Sequence, residues 1–201
     1  MDVVKSIKSA VWRVRGEYLK SYLITSSKDY SRDVDKFKDK LQRALASNRV
    51  DYALYRDKDS SDYESLCTIF IELCRAYGVK AVIHTHTLLA KKYGAYAIHL
   101  TSNQFDEISR AKSMGLKVIV STHSDDDIEL SILRGADYVT YSPIFHTPNK
   151  GEPKGVDELK RVVNKFSRVK FFALGGIVSN SHVDALKSSG CYGFASIRYF
   201  L

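Results

Sequence analysis

Short runs of apolar residues alternate along this chain with longer stretches in which apolar residues recur at the period of a helix. The stretch 61–77 shows that period well, because Leu66, Phe70 and Leu73 fall on one helical face. The short runs are rich in Val, Ile, Phe and Tyr, which favour strands. They predict eight strands, at 21–26, 50–56, 79–84, 95–100, 116–121, 136–141, 169–174 and 191–197. The longer stretches predict seven helices between them, at 33–46, 61–77, 86–93, 104–114, 125–134, 156–167 and 179–189.

Glycines mark the places where predicted helices give way to strands, as helix C-caps do: Gly78, Gly94, Gly115, Gly135 and Gly190. Strands that alternate with helices favour a parallel sheet, since a parallel pair needs a crossover connection. We therefore predict an α/β fold, a compact (β/α)8 TIM barrel, with a doubly wound open sheet as the alternative.

The two ends of the chain depart from a regular eight-unit barrel. The sequence ends soon after the eighth predicted strand, so we expect the last helix to be missing. Before the first strand, Val3, Ile7 and Val11 recur at helical spacing. We predict an N-terminal helical extension over 1–20 and a single TIM-barrel domain over 21–201.

The chain is basic, with 31 Lys and Arg against 23 Asp and Glu and a formal net charge of +8. These residues are spread along the chain without a basic block or an RNA-binding motif, so we expect no nucleic-acid partner. A site for small anions would use the same charge. No apolar run approaches the ~20 residues of a membrane span, and the start lacks a secretory signal. We expect a cytoplasmic protein with no membrane partner, which the cysteine spacing also fits.

Polar side chains collect at the predicted C-terminal ends of the strands, where a TIM barrel builds its site. They are Thr25, Arg56, Lys58, His84, His86, His99, Ser121 and His123, followed by the loop 142–150 and the pair Gly175-Gly176. Most of the histidines are in this set, and imidazole can accept and release a proton near neutral pH.

Five motifs in order along the chain carry a resemblance: Tyr55-Arg56-Asp57-Lys58, Val120-Ser121-Thr122-His123-Ser124, Gly135-Ala136-Asp137-Tyr138, the loop from Ser142 to Gly151, and Ala173-Leu174-Gly175-Gly176-Ile177. Together they resemble the thiamine phosphate synthase family, which includes the TenI thiazole tautomerases. The resemblance implies a TIM barrel that binds a phosphorylated thiazole in thiamine biosynthesis, and a homodimer. In the synthases a pyrimidine diphosphate joins the thiazole phosphate, with magnesium on the leaving diphosphate. In the tautomerases a histidine moves a proton on the thiazole.

The resemblance also implies roles for individual residues. Those expected to bind substrate are Arg56 and Lys58, which face a diphosphate, His84 and Ser121 at strand ends, and Thr147, Asn149 and Lys150 on a loop that closes over the substrates. Asn149 replaces a threonine of the family. Those expected to bind phosphate are Gly175, Gly176, Gly193 and Arg198. Missing side chains let the backbone N–H groups of glycines reach an anion. His123 matches the tautomerase histidine and is the predicted catalytic residue.

Two departures from the family concern the metal. Synthases carry one aspartate after the third strand and another after the fourth, where this chain has Thr85 and Gln104. Neutral side chains are poor ligands for a hard cation, so we expect no metal site, and magnesium only if synthase activity is retained. This favours tautomerase-like proton transfer by His123, with thiamine phosphate synthase as the alternative. A structural alternative for His123 is that its ring caps the following helix.

Two further hypotheses remain open at this stage. The histidines His84, His86, His99 and His123 lie on neighbouring strands, as the ligands of a zinc or nickel site do, although no acidic residue accompanies them. Alternatively, the barrel binds a thiamine precursor without catalysis and regulates another process. The lost acids and the phosphate-binding serine replaced by Arg198 favour that hypothesis.

Overall fold

The computed structural model describes residues 13–14, 17–57 and 63–201. Parallel strands form a closed barrel in which each strand is hydrogen-bonded to the next and the last to the first. They are β1 (Lys20–Ile24), β2 (Tyr52–Tyr55), β3 (Lys80–His84), β4 (Ala97–Leu100), β5 (Lys117–Thr122), β6 (Tyr138–Tyr141), β7 (Lys170–Leu174) and β8 (Gly193–Ser196). The closed order confirms the predicted TIM barrel and excludes the open sheet.

Helices connect successive strands of the barrel. They are α1 (Ser27–Tyr30) and α2 (Val34–Ser47) after β1, then α3 (Tyr63–Ala76), α4 (Thr87–Lys92), α5 (Glu107–Ser113), α6 (Asp125–Arg134), α7 (Gly155–Lys165) and α8 (Asn180–Leu186), one after each following strand. The predicted helices are confirmed, but the hydrophobic pattern missed α1. A helix of four residues is too short to establish a period, and its N-cap Ser26 is the local signal for it.

The ends of the chain differ in part from the prediction. Arg13–Val14 pairs with Glu17–Tyr18 as a short antiparallel ladder, so the predicted N-terminal helix is wrong at these residues. The part of that extension at 1–12 lies outside the residues that the structure describes. After β8, residues Arg198–Phe200 form a 3-10 turn.

Helix α6 shows how local sequence sets the edge of a site. Ser124 is its N-cap, and the Ser124 hydroxyl accepts from the Asp127 N–H at 3.1 Å. The Asp127 carboxylate accepts from the His123 N–H at 2.7 Å. The helix ends at Gly135, whose φ of +92° is the left-handed conformation of a C-cap glycine. These contacts hold His123 between the end of β5 and the start of α6.

Side chains fill the barrel from all sides, because alternate residues of each strand point inward. The buried interior consists of Tyr22, Ile24, Tyr52, Leu54, Val82, Ala97, Ile119, Tyr138, Phe172 and Ala195. A second, larger core of buried apolar residues includes Leu23 and Val139 on the strands and Phe70 on α3. We call the end of the barrel where the strands finish the C-terminal mouth and the end where they start the N-terminal mouth.

Among the helices of the described residues, none is both long and apolar enough to cross a lipid bilayer.

Candidate active site

The C-terminal mouth brings together several of the predicted site residues. Arg56 follows β2, His84 ends β3, and Ser121 lies near the end of β5. Each stands two residues beyond an inward-facing residue of its strand, so alternation turns it toward the barrel axis. Lys58, which the resemblance pairs with Arg56, lies outside the described residues.

His99 forms the floor of this mouth and links three strands. Its Nδ1 lies 3.0 Å from the Tyr22 hydroxyl, and its Nε2 lies 3.0 Å from the Ser121 hydroxyl. Burial lowers the pKa of His99 to about 3, and the charges of His84 and Arg56 act in the same direction. The ring is therefore neutral at physiological pH, donating from one nitrogen and accepting at the other. It orients the Ser121 hydroxyl at the bottom of the site.

The histidines do not assemble a metal site in the part of the chain that the structure describes. Both ring nitrogens of His99 are already engaged within the protein, and the His86 ring packs on Tyr63 with centroids 4.4 Å apart. No group of three or more His, Cys, Asp or Glu side chains among the described residues could hold a metal ion. The zinc or nickel hypothesis is therefore not supported there.

The magnesium that the resemblance implies for a synthase does not fit the residues after β3 and β4. The Gln104 Oε1 atom accepts from the Thr101 N–H and hydroxyl, both at 3.1 Å. The Thr85 hydroxyl donates to the His84 carbonyl at 2.8 Å. Both side chains are neutral and contact their own loops, so neither supplies the charged oxygen that the cation prefers.

Thr85 has a strained backbone at this mouth. Its φ of +61° lies in the left-handed region, which β-branched residues rarely adopt. A tight turn accompanies it, in which the His86 N–H donates to the His84 carbonyl at 2.7 Å. Such a conformation costs about 1–3 kcal/mol and occurs most often at functional sites. Thr85, which stands where the synthases have an aspartate, is thus also a residue with a strained backbone.

His123 is exposed and has a defined orientation. Its Nδ1 lies 3.1 Å from the Ser142 carbonyl oxygen and 3.3 Å from the Ser142 hydroxyl. Because a carbonyl only accepts, we assign the proton to Nδ1, which leaves a lone pair on Nε2. The ring does not cap α6, since Ser124 does so, and the structural alternative for His123 is wrong. Nε2 is free of these contacts and can accept a proton.

The loop between β6 and α7 has two anchored ends and an exposed tip. Ile144 donates its N–H group to the carbonyl of Leu174, the last residue of β7, at 2.9 Å, and Phe145 donates to the carbonyl of the next residue, Gly175, at 3.0 Å. Lys154 and Gly155 donate back to the start of the loop at 2.8 and 3.0 Å. Three predicted substrate residues lie at the tip: the half-buried Thr147 and the exposed Asn149 and Lys150.

The structure gives a reason for asparagine at position 149. Its φ of +61° is left-handed, and asparagine tolerates that conformation better than the β-branched threonine of the family. The Thr147 hydroxyl meanwhile donates to the Phe145 carbonyl at 3.0 Å, and the Lys150 N–H donates to the Thr147 carbonyl at 3.2 Å. The tip is a turn that keeps the Lys150 ammonium in solvent.

Gly175 and Gly176 follow β7 directly beneath this loop. Their φ angles are +99° and +69°, and a Cβ on Gly176 would lie 2.6 Å from the His146 carbonyl oxygen. A Cβ on Gly175 would lie 2.8 Å from the Pro143 Cα atom. Within the described residues, neither N–H group donates to another backbone group. The pair is therefore required for loop packing and leaves two N–H donors available for an anion.

Gly193 was predicted to join this phosphate site, and that prediction is wrong. Gly193 begins β8, so it lies at the N-terminal mouth, at the other end of the barrel from Gly175 and Gly176. A Cβ there would lie 2.2 Å from the Lys20 carbonyl oxygen, so the glycine allows two strands to pair closely.

Comparisons with known proteins agree with this architecture and with the motifs. A family model described as thiamine monophosphate synthase matches residues 21–200. The chain belongs to the thiamine monophosphate synthase family. Thiamine-phosphate synthase from Caldicellulosiruptor saccharolyticus is 29% identical over 153 residues, 73% of this chain and 69% of the relative. The enzyme of the same name from an Enterobacter strain is 29% identical over 140 residues, 67% of this chain and 66% of the relative.

A solved structure supports the same fold. Thiamine phosphate pyrophosphorylase from Pyrococcus furiosus has a TM-score of 0.75 to this chain at 21% identity, covering 89% of this chain and 85% of that protein. At 21% identity this similarity supports the barrel fold alone. Membership of the thiamine monophosphate synthase family explains why the five motifs occur in this order along the chain. The described residues of four of them lie at the C-terminal mouth, whereas Gly135-Ala136-Asp137-Tyr138 leads into β6 at the N-terminal mouth.

Sequence reasoning missed two side chains at this mouth of the family barrel. Ser196, not Arg198, is the last residue of β8, and its buried hydroxyl donates to the Ile177 carbonyl at 2.6 Å. Arg198 is exposed in the 3-10 turn, and its phosphate role remains a prediction. Asp57 is buried and forms a two-pronged ion pair with Arg32, at 2.7 and 2.8 Å. Strand alternation was the available signal, because it turns consecutive residues to opposite sides of the sheet.

Proposed function

We propose that the C-terminal mouth binds a phosphorylated thiazole and that the chain acts in thiamine biosynthesis. Three features support the binding of an anion there: the Gly175 and Gly176 N–H groups, the guanidinium of Arg56, and the ammonium of Lys150 on the loop above. Each can form charge-assisted hydrogen bonds with a phosphate. The family match over residues 21–200 supports a phosphorylated thiazole as that anion.

The activity that these findings favour is that of a thiamine phosphate synthase. Such an enzyme joins hydroxymethylpyrimidine diphosphate to thiazole phosphate and releases diphosphate. The observation that carries the proposal is the family match, and the names of the relatives agree with it. Arg56 and Lys150 would stabilise the charge of the leaving diphosphate, in the way that cations placed beside a developing charge stabilise a transition state.

Proton transfer on the thiazole is the second candidate, and a specific observation favours it. The His123 Nδ1 contacts the Ser142 carbonyl at 3.1 Å, which leaves Nε2 as a positioned acid–base group. The neutral side chains at Thr85 and Gln104 also favour a reaction that needs no metal. His123 would accept a proton from one ring atom and return it to another, so that no co-reactant is consumed.

The experiment that separates the two activities assays the purified full chain for both, with magnesium and with EDTA. Synthase activity predicts formation of thiamine phosphate and diphosphate from the two substrates. Isomerisation of the thiazole carboxylate phosphate in EDTA, without condensation, would instead support the second candidate. Tight binding of thiazole phosphate with neither turnover would support the non-catalytic hypothesis.

A pair of variants tests the missing acids directly. Thr85→Asp with Gln104→Asp restores two carboxylates, and aspartate is tolerated at the left-handed φ of position 85. We expect magnesium-dependent condensation to rise by at least ~10-fold, since a bound dication stabilises the developing charge. The matched control is Thr85→Asn with Gln104→Asn, which changes shape without adding charge. An equal rise in both variants would show that metal binding is not the cause.

A further inference from the structure

The N-terminal mouth contains a layer of lysines. Each odd-numbered strand of the barrel begins with lysine, at Lys20, Lys80, Lys117 and Lys170. Each stands two residues before an inward-facing residue of its strand, namely Tyr22, Val82, Ile119 and Phe172. Alternation therefore directs all four toward the axis, where alternate strands of a TIM barrel contribute four side chains to one layer.

A chain of tyrosine hydroxyls lies against this layer. The Tyr52 hydroxyl is 2.9 Å from that of Tyr192 and 3.5 Å from that of Tyr138. The Tyr138 hydroxyl is in turn 3.0 Å from that of Tyr96. Four hydroxyl groups make three contacts with one another, and each contact uses one proton. At least one O–H therefore remains that can donate to a group other than these four hydroxyls.

The donor and acceptor in each contact decide which tyrosine can hold the spare O–H. Tyr52 donates to Tyr138, while the Lys80 ammonium donates to the Tyr52 oxygen at 3.4 Å. The remaining proton then belongs to Tyr138 or Tyr96. Burial raises the pKa of Tyr52 and of Tyr96, and hydrogen bonds with Tyr138 raise both further, so these phenols stay protonated. Tyr96 is half-buried, which leaves the hydroxyl chain within reach of solvent.

The lysines of the layer are neutralised unequally. Lys20 pairs with Asp51 at 3.1 Å, and Lys117 pairs with Asp137 at 2.8 Å. Lys80 and Lys170 have no carboxylate partner within the described residues. The Lys80 ammonium lies 4.7 Å from the Tyr96 ring centroid, and the Lys170 ammonium lies 4.8 Å from that of Tyr192. The two belong to β3 and β7, on opposite sides of the closed barrel.

We propose that the N-terminal mouth is a second anion site, which binds a small phosphate-type oxyanion between Lys80 and Lys170 with a phenolic O–H as a further donor. Like charges that converge on one axis repel each other, and a bound anion offsets that repulsion. The oxygens of a phosphate are arranged tetrahedrally and can accept from donors on several sides at once. The two oxygens of a monocarboxylate both lie at one end of the group, so they are less suited to two ammonium groups on opposite sides of the barrel. Hydrogen bonds in which the donor or the acceptor is charged are stronger than those between neutral groups.

The test counts the phosphate ions bound per chain by equilibrium dialysis with inorganic phosphate. Since the proposed function also implies a phosphate site at the C-terminal mouth, we expect two ions on the wild-type chain. We expect one on Lys80→Met with Lys170→Met, one on Gly176→Ala, and none on the combined variant. A different outcome is that the wild-type chain binds one ion, which the lysine variant loses and Gly176→Ala keeps. That outcome would support the site at the N-terminal mouth and contradict the phosphate site of the proposed function.

The matched control is Lys38→Met with Lys91→Met, which removes the same charge from exposed helical positions. It should bind phosphate as the wild type does, and circular dichroism verifies that each variant is folded. Tyr96→Phe should weaken the N-terminal site several-fold, and acetate at equal ionic strength should not displace phosphate from it. A lysine variant that binds phosphate with wild-type number and affinity would overturn the proposal. So would equal losses in the lysine variant and its control.

Discussion

The two mouths of this barrel are both cationic, but they carry their charges on different parts of the chain. At the N-terminal mouth the lysines are the first residues of strands, and two of the four are paired with aspartates. At the C-terminal mouth, Arg56 follows a strand and Lys150 lies on an exposed loop. Loops can move toward a ligand while strand ends are fixed by the sheet. The comparison suggests a fixed anion site at one end and an adaptable site at the other.

The glycines at the two ends of the barrel also differ, in what surrounds the position of an added Cβ. Gly78 and Gly94 precede strands on the N-terminal side, with φ of +67° at both and no atom within 4 Å of an added Cβ. Gly175 and Gly176 have positive φ as well, but the β6–α7 loop fills the space that their side chains would occupy. The first pair is required only by backbone conformation, whereas the second is also required by the packing of the β6–α7 loop.

The largest expected effect is on chemistry at the C-terminal mouth. If proton transfer is an activity of this chain, His123→Ala should lower its turnover by ~10²–10⁴, the usual contribution of a positioned acid–base group. Substrate affinity should change little, as steady-state kinetics would measure. Ser142→Ala is the matched control because the carbonyl that orients His123 remains. Lys117→Met, at the other mouth, should leave turnover unchanged. Full activity of His123→Ala would assign the proton to another group.

The second prediction compares the two kinds of glycine through stability. Gly94→Ala should cost only the ~1–2 kcal/mol of a left-handed residue. Gly176→Ala has nearly the same φ but must also displace the loop, which adds about 1–3 kcal/mol. Urea unfolding measures both, and only Gly176→Ala should weaken phosphate binding at the C-terminal mouth. Equal losses of stability would mean that the loop moves aside freely.

The smallest effect concerns His99, between the two mouths, and it depends on pH. The pKa of His99 is about 3 in the folded chain, against an ordinary value of 6.5. Between these values the unfolded chain takes up a proton that the folded chain does not, so stability falls as pH falls through that window. From pH 6.5 to 5 the loss is about 2 kcal/mol.

The variant His99→Gln should remove this part of the acid sensitivity, which unfolding curves at several pH values would measure. Tyr22→Phe is the control, since it removes one hydrogen bond of His99 but keeps the ring buried. If His99→Gln keeps the wild-type slope between pH 6.5 and 5, another group is responsible for it.

Much of the fold could be predicted from the sequence because helices and strands depend on the spacing of apolar residues within short segments. The helix at 61–77 and the strand at 79–84 follow from hydrophobic spacing and from a glycine between them, and the structure has α3 and β3 there. The four-residue α1 is too short for a period to appear. Arg13–Val14 and Glu17–Tyr18 form an antiparallel pair where the spacing of apolar residues predicts a helix, since apolar residues three and four apart also occur by chance in short segments.

The sequence by itself determined the alternation of strands and helices, the strand ends that carry polar residues, and the family, because each depends on residues close together in the chain. Only the tertiary structure decided which polar residues meet. It put Gly193 at the opposite mouth from Gly176, and it bonded His99 to Tyr22 and Ser121 on other strands. It also gathered the lysines that begin every second strand into one layer. Strand register and barrel closure set these contacts, and both are properties of the closed sheet rather than of any one segment.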